Sequence, residues 1–322
     1  MIGTNVRRSG WIGGFALIAL AAAYAPANGV MEPVSVSAQT APDLSRVQTP
    51  GRPTCGTRPR TEVEIALDSA RVDEFKNRGR SAKPGTLVTI TTYVHVLHDG
   101  VEGRVSEHTI REQIKVLNEA YASRGFRFEL AASTPGNPNP DYTDNAAWYK
   151  DATVEDELAY KTALKEGSGD DLNIYTNSGG GYLGYAYYPT IVGSSYDVLD
   201  GVVLAWGTLP GANQAGISDI PGFVYNLGDT GTHEVGHYLG LAHTFEGRCS
   251  RTNDAVADTP AERTPDFYCT AGRDTCPDRG GTILPDPIHN FMDYSDDVCL
   301  FEFTAGQAER MNIQWALYRQ GR

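Results

Sequence analysis

From Leu87 to Leu97 apolar and polar residues alternate, with Val88, Ile90, Val94 and Val96 on one phase of a two-residue period. That period lines them on one face of an extended chain and predicts a strand. Farther on the period lengthens. Ile110, Ile114 and Leu117 follow Ser106, a hydroxyl able to cap a first turn, and predict a helix over 109–118. Short β-rich runs at 126–130, 171–176, 185–188 and 201–206 read as further strands. Residues 225–241 hold a second helix, and 306–318 a terminal one with Met311, Trp315 and Tyr318 turned inward. Strands and helices mixed without strict alternation predict an α+β domain, a twisted mixed sheet with helices packed against it.

Upstream of residue 81 the pattern fades. Residues 28–60 are rich in Pro, Ser, Thr and Ala and have no hydrophobic period, which predicts loose structure. Glu62–Lys76 can form a short amphipathic helix with Val63, Ala66, Leu67 and Phe75 as its apolar positions, and a basic connector, 77–85, follows within reach of proteases. At the start, Arg7 and Arg8 precede an apolar stretch, Trp11–Ala23, too short to span a bilayer comfortably, and Ala25-Pro26-Ala27 fits the small-residue rule for signal cleavage. The chain therefore divides into a signal peptide, 1–27, a propeptide, 28–80, and a main domain, 81–322. No later segment is apolar enough to cross a membrane, so no stable membrane insertion is expected once the signal is cut.

Charge sharpens this division. Formal net charge is −13, but residues 1–84 carry 11 Lys and Arg against 7 Asp and Glu, leaving 16 against 33 for the rest. An acidic body of that kind excludes nucleic acid and anionic membrane as partners and suits an extracellular protein. Of five cysteines, Cys249, Cys269, Cys276 and Cys299 cluster in the last quarter. In an oxidising compartment they predict two disulfides, with three pairings open, and leave Cys55 over.

The decisive chemistry lies at 233–243, His233-Glu234-Val235-Gly236-His237 followed by Gly240 and His243. Positions four apart share a helix face, so His233 and His237 can present two imidazoles to one metal. Gly240 can stop the helix in a left-handed conformation, and His243 then returns as a third nitrogen. Three neutral imidazoles with one open position make a catalytic zinc site rather than a structural one. Glu234, beside the ligands but outside their set, is placed to take a proton from a zinc-activated water and give it to a leaving amine.

The motif H-E-x-x-H-x-x-G-x-x-H resembles that of the metzincin metalloproteases, whose second mark is a methionine turn. Asn290-Phe291-Met292-Asp293-Tyr294 matches it, and Thr232–Gly247, Asp254–Pro260 and Gly181–Ala186 are most similar to the pappalysin type. The resemblance spans roughly 88–320. It implies a metzincin-like zincin fold for 81–322 as the catalytic domain, and a secreted zinc endopeptidase acting on protein or peptide substrates. It implies Met292 as an apolar floor under the histidines and Tyr294 as a phenol that binds the oxyanion. It also implies the disulfides Cys249–Cys276 and Cys269–Cys299, and structural calcium in an oxygen-rich loop holding Asp254, Asp258, Thr259 and Asp266. Cys55, in Pro53-Thr54-Cys55-Gly56-Thr57, resembles the cysteine switch of metzincin zymogens, a thiolate in the open zinc position. Asp296 and Asp297 fall where the S1′ pocket is expected and favour a basic P1′ residue, while Val298 serves an apolar pocket equally well. Two other functions stay open at this level: a zinc hydrolase of another amide, and a non-catalytic binding protein on the same scaffold. The intact Glu234 speaks against the second.

Overall fold

The computed structural model describes residues 46, 52–79, 87–277 and 284–322. The expected signal peptide and the 80/81 boundary lie outside the described residues. The alternating run is strand β1, Val88–His98, and its neighbours are β2, Phe126–Leu130, β3, Asp141–Asp144, β4, Leu172–Asn177, β5, Gly184–Ala186, and β6, Val202–Ala205. They form one sheet in the order β2-β1-β4-β6-β5, with β3 pairing the far half of β1. All pairs are parallel except β5 with β6, where Gly184 faces Leu204 and Ala186 faces Val202. The sheet is therefore mixed, with β5 as an antiparallel edge strand. Among the described residues no helix is long and apolar enough to cross a membrane.

Strand alternation builds two cores. Ile90, Ile174, Val202 and Leu204 enter the main one, against helix α2, Glu107–Tyr121, helix α5, Asp229–Tyr238, and helix α6, Ala305–Gln314. Ser106 caps α2 by accepting from the Thr109 amide, and Ile110, Ile114 and Leu117 face inward. Truncating a fully buried residue such as Leu117 to Ala costs about 2–5 kcal/mol. On the other face Tyr175, Tyr185 and Val203 meet Tyr160 of helix α4, Val154–Leu164, which follows helix α3, Ala146–Lys150. The predicted disulfides of the resemblance are the two that form, Cys249–Cys276 and Cys269–Cys299, with Cα separations of 5.5 and 5.8 Å.

Three expectations need correcting. Residues 52–60 are not loose: Thr54, Cys55 and Thr57 are buried. Helix α1, Glu62–Asn77, exists but does not bury the face read from its apolar residues, since Val63 is 67% and Leu67 60% exposed. It turns Asp68, Val72 and Phe75 onto α6, where Asp68 receives Arg60, Arg310 and Gln314, and Phe75 packs by Ile313. Polar anchoring has overridden apolar periodicity there. The terminal helix runs on as a π-helical turn, Trp315–Arg319, with Met311 and Trp315 buried but Tyr318 only half-buried, bonded by Arg71 of α1.

Candidate active site

Helix α5 carries His233, Glu234 and His237, and all three are buried. Its end is a Schellman turn: Leu241 N–H donates to the Gly236 carbonyl, with Gly240 at φ 93°. A Cβ at Gly240 would also press on Gln314 of α6, at 2.6 Å, so both conformation and space demand glycine. The turn brings His243 back. His237 Nε2 lies 3.1 Å from Nε2 of His233 and 3.1 Å from that of His243. His233 Nδ1 donates to the Phe291 carbonyl at 2.7 Å and His237 Nδ1 to the Leu241 carbonyl at 2.8 Å. Those bonds fix the tautomers of His233 and His237 and leave their Nε2 lone pairs facing one another, while Nδ1 of His243 is buried with no hydrogen-bond partner. Burial holds all three rings neutral, His233 down to about 4 and the others well below the usual range.

Lone pairs turned on each other in a dry site need a cation. Tetrahedral zinc with ordinary bond lengths has N–N edges of about 3.3 Å and an N–S edge of about 3.6 Å. The nitrogen separations are close to the first figure, and Cys55 Sγ lies 3.6 Å from His237 Nε2. Cys55, His233, His237 and His243 are brought together with all donor atoms within 4.8 Å. Cys55 is the free cysteine among the described residues. Burial, and then the nearby Glu234, push its thiol well up, so a thiolate here requires a cation beside it.

The segment carrying Cys55 lies on the open edge of β5. Gly56 N–H donates to the Gly184 carbonyl at 2.8 Å, and Leu183 N–H to the Thr54 carbonyl at 3.0 Å. Cys55 and Gly184 pair in parallel sense. Thr57 donates to Glu234 Oε2 at 3.1 Å, while Glu234 Oε1 is buried with no hydrogen-bond partner. Burial pushes the Glu234 carboxyl up to about 8, offset in part by bonds from Cys55 and Thr57. The Tyr294 hydroxyl donates to the Cys55 carbonyl at 3.4 Å and lies 3.2 Å from His243 Nε2. Met292 is wholly buried beneath the helix, and a Cβ on Gly236 would collide with its sulfur. A pocket opens beside Glu234 and His233, with Thr230, Asp229, Asp297 and Leu300 in its wall. Val298 is 65% exposed and Asp296 bonds the Val224 amide instead.

The acidic loop divides. Asp254 Oδ2 and Asn253 Oδ1 are buried without partners, the Thr259 hydroxyl lies by the Asp254 carboxyl, and burial lifts that carboxyl to about 7. Asp258 is engaged elsewhere: its oxygens accept from Thr304 Oγ1 and Gly306 N–H, both 2.8 Å, at the start of α6. Asp266 accepts from Thr270. Sequence reasoning missed three arginines of the N-terminal region. Arg60 bonds Glu246, whose other oxygen lies 3.9 Å from His243 Nδ1; Arg52 stacks 3.7 Å over Phe223; Arg46 reaches Asp151 and Glu157. Isolated arginines in a segment without periodicity give no signal by which to find them.

Known proteins resemble this chain over most of its length. The family described as pregnancy-associated plasma protein-A matches residues 215–316, and the metallo-peptidase family M12B reprolysin-like matches 108–244. An extracellular metalloprotease of Pyricularia oryzae is 42% identical over 266 residues, covering 81% of this chain and 86% of its own. The chain belongs to the extracellular metalloproteases of the pappalysin type. A second such enzyme, from Colletotrichum graminicola, is 42% identical over 82% of this chain and 91% of its own. Among solved structures, mirolysin with a bound compound has a TM-score of 0.60 at 26% identity, covering 73% of this chain and 97% of that one. A promirolysin mutant of Tannerella forsythia gives 0.61 at 25%, covering 83% and 95%. The α+β fold is that of a metzincin catalytic domain, and the protein is a secreted zinc endopeptidase.

Proposed function

We propose that His233, His237 and His243 hold the zinc, that Glu234 is the general base, and that Cys55 keeps the precursor latent from the fourth position. The observation that carries this reading is the cluster of three Nε2 atoms and one Sγ within 4.8 Å of one another, in which the three separations from His237 Nε2 are close to the edges of a tetrahedral zinc site. Zinc, when bound, supplies Lewis acidity that acidifies water and polarises a carbonyl. Glu234, dry and with one free oxygen, takes the proton of the attacking water and returns it to the leaving amine. Tyr294 donates to the peptide oxygen as charge grows there, replacing the bond it makes to Cys55 in the precursor; such a donor contributes about 10²–10³ in rate. Removal of the 28–80 propeptide frees the backbone groups of Leu183 and Gly184 to pair with a substrate strand. Asp229 and Asp297, two carboxyls that burial leaves poorly solvated, fit the pocket to a basic P1′ side chain. Asp254, Thr259 and Asn253 offer hard oxygen ligands to a structural calcium, a set from which Asp258 drops out as a side-chain ligand.

The test is digestion of casein and a peptide mixture by the processed protein, with and without chelator, beside Glu234→Ala. Wild type should cut before Arg and Lys and lose activity to chelator. Glu234→Ala should fall by about 10³ or more while keeping its zinc. Activity of that variant within about tenfold of wild type would refute the assignment of the base.

A further inference from the structure

Arg46 lies apart from the cleft that holds Cys55. Its Nη1 is 3.1 Å from Asp151 Oδ2, its Nη2 3.3 Å from Asp151 Oδ1 and 2.8 Å from Glu157 Oε2, and Nη1 also approaches the Asp151 carbonyl at 3.4 Å. The guanidinium sits 4.0 Å over the Tyr185 ring. Gly184 abuts Glu234 on one face of β5, whereas Tyr185 belongs to the core on the other. Arg46 and Cys55 are therefore held on opposite faces of the edge strand.

The residues that line the socket all belong to the 81–322 domain and, with Arg46 seated among them, also bond one another. Asp151 and Glu157 are wholly buried and Tyr185 is 1% exposed. Tyr185 donates to Asp151 at 2.7 Å, Tyr187 to Glu157 at 2.9 Å, and Lys161 pairs with the other Glu157 oxygen at 2.7 Å. Asp151 is a non-glycine residue at φ 46°, a conformation that aims both its carboxylate and its carbonyl at the guanidinium. With Lys161 the only other buried cation in contact among the described residues, two carboxylates are left one positive charge short when Arg46 departs. Burying such an unpaired charge is costly. A planar fork that bonds Asp151 twice, reaches Glu157 and stacks on Tyr185 is guanidinium chemistry, which an ammonium cannot reproduce.

We propose that this socket is a second binding site of the processed enzyme, taking an arginine side chain of a protein substrate behind the edge strand, with Arg46 as its occupant in the precursor. The proposal rests on the reading that residue 46 is lost on processing. The full-length precursor tests the socket independently of that reading, because Cys55 stays in place there and Asp297→Asn reports any arginine taken by the pocket beside Glu234 instead. An Arg46→Ala precursor, carrying Glu234→Ala to prevent self-conversion, is titrated calorimetrically with L-arginine amide and L-lysine amide. One saturable arginine site is expected, absent from the precursor that keeps Arg46 and at least tenfold weaker for lysine. Adding Glu157→Gln, or the milder Tyr187→Phe should the first not fold, should weaken binding at least tenfold and at least threefold respectively. Asp297→Asn should leave it unchanged. No saturable binding, equal affinity for the two amides, or no effect of the socket substitutions would overturn the proposal. The intact mass of the processed enzyme decides separately whether residue 46 has left. The same titration of that enzyme, with residues 42–50 as a peptide in a further arm, tells a retained fragment from a site open to substrate.

Discussion

Two stretches of chain meet at the same cluster by different means. Residues 233–243 deliver three donors from a helix and one tight turn, locked by Phe291 and Leu241 carbonyls, by Met292 below and by α6 behind. Residues 52–60 deliver one donor from an added edge strand, held by two backbone bonds, by Thr57 and by outlying arginines. The first set is part of the core and cannot leave without unfolding the domain. The second is mostly polar, and water can take over most of its bonds when it departs. Latency through Cys55, as proposed above, is an addition to a finished site, held by groups that a cut in the tether can release.

Breaking the weaker partner should have the largest effect. Purified Cys55→Ala precursor should convert itself at least about tenfold faster than wild type, since losing one intramolecular ligand worth about 1.4 kcal/mol or more opens the cleft that often. The rate of self-conversion under identical zinc and calcium checks this, and equal rates would mean that the segment blocks the cleft sterically. A smaller effect separates a third region, the oxygen-rich loop, from both. Calcium at about a hundred times its dissociation constant should raise the melting temperature of the processed enzyme by about 5–10 °C. Asp254→Asn should lose that response, whereas Asp258→Asn should keep it at a melting temperature lowered by the missing α6 cap.

What the sequence made legible follows the same contrast. His233, Glu234, His237, Gly240 and His243 are readable because helical spacing converts directly into geometry, and β1 because its side-chain period is two. Helices α3 and α4 gave no such signal: α4 buries Glu157, Tyr160 and Lys161, so its inward face is charged. Strand β3, Asp141-Tyr142-Thr143-Asp144, has four residues and no apolar alternation. Asp258 looked like a ligand beside Asp254, but its partners lie 46 and 48 residues away on α6. Cys55 stood out as an odd thiol beside a zinc motif. Arg46, Arg52 and Arg60 did not, because what makes each of them matter is contributed by distant acids and aromatic rings.

X-ray absorption at the zinc edge, on the precursor and on the processed enzyme, tests the link between these two stretches most directly. The precursor should show three nitrogen scatterers and one sulfur at about 2.3 Å, and the processed enzyme nitrogen and oxygen only. Zinc in the precursor with no sulfur neighbour would contradict the place given to Cys55.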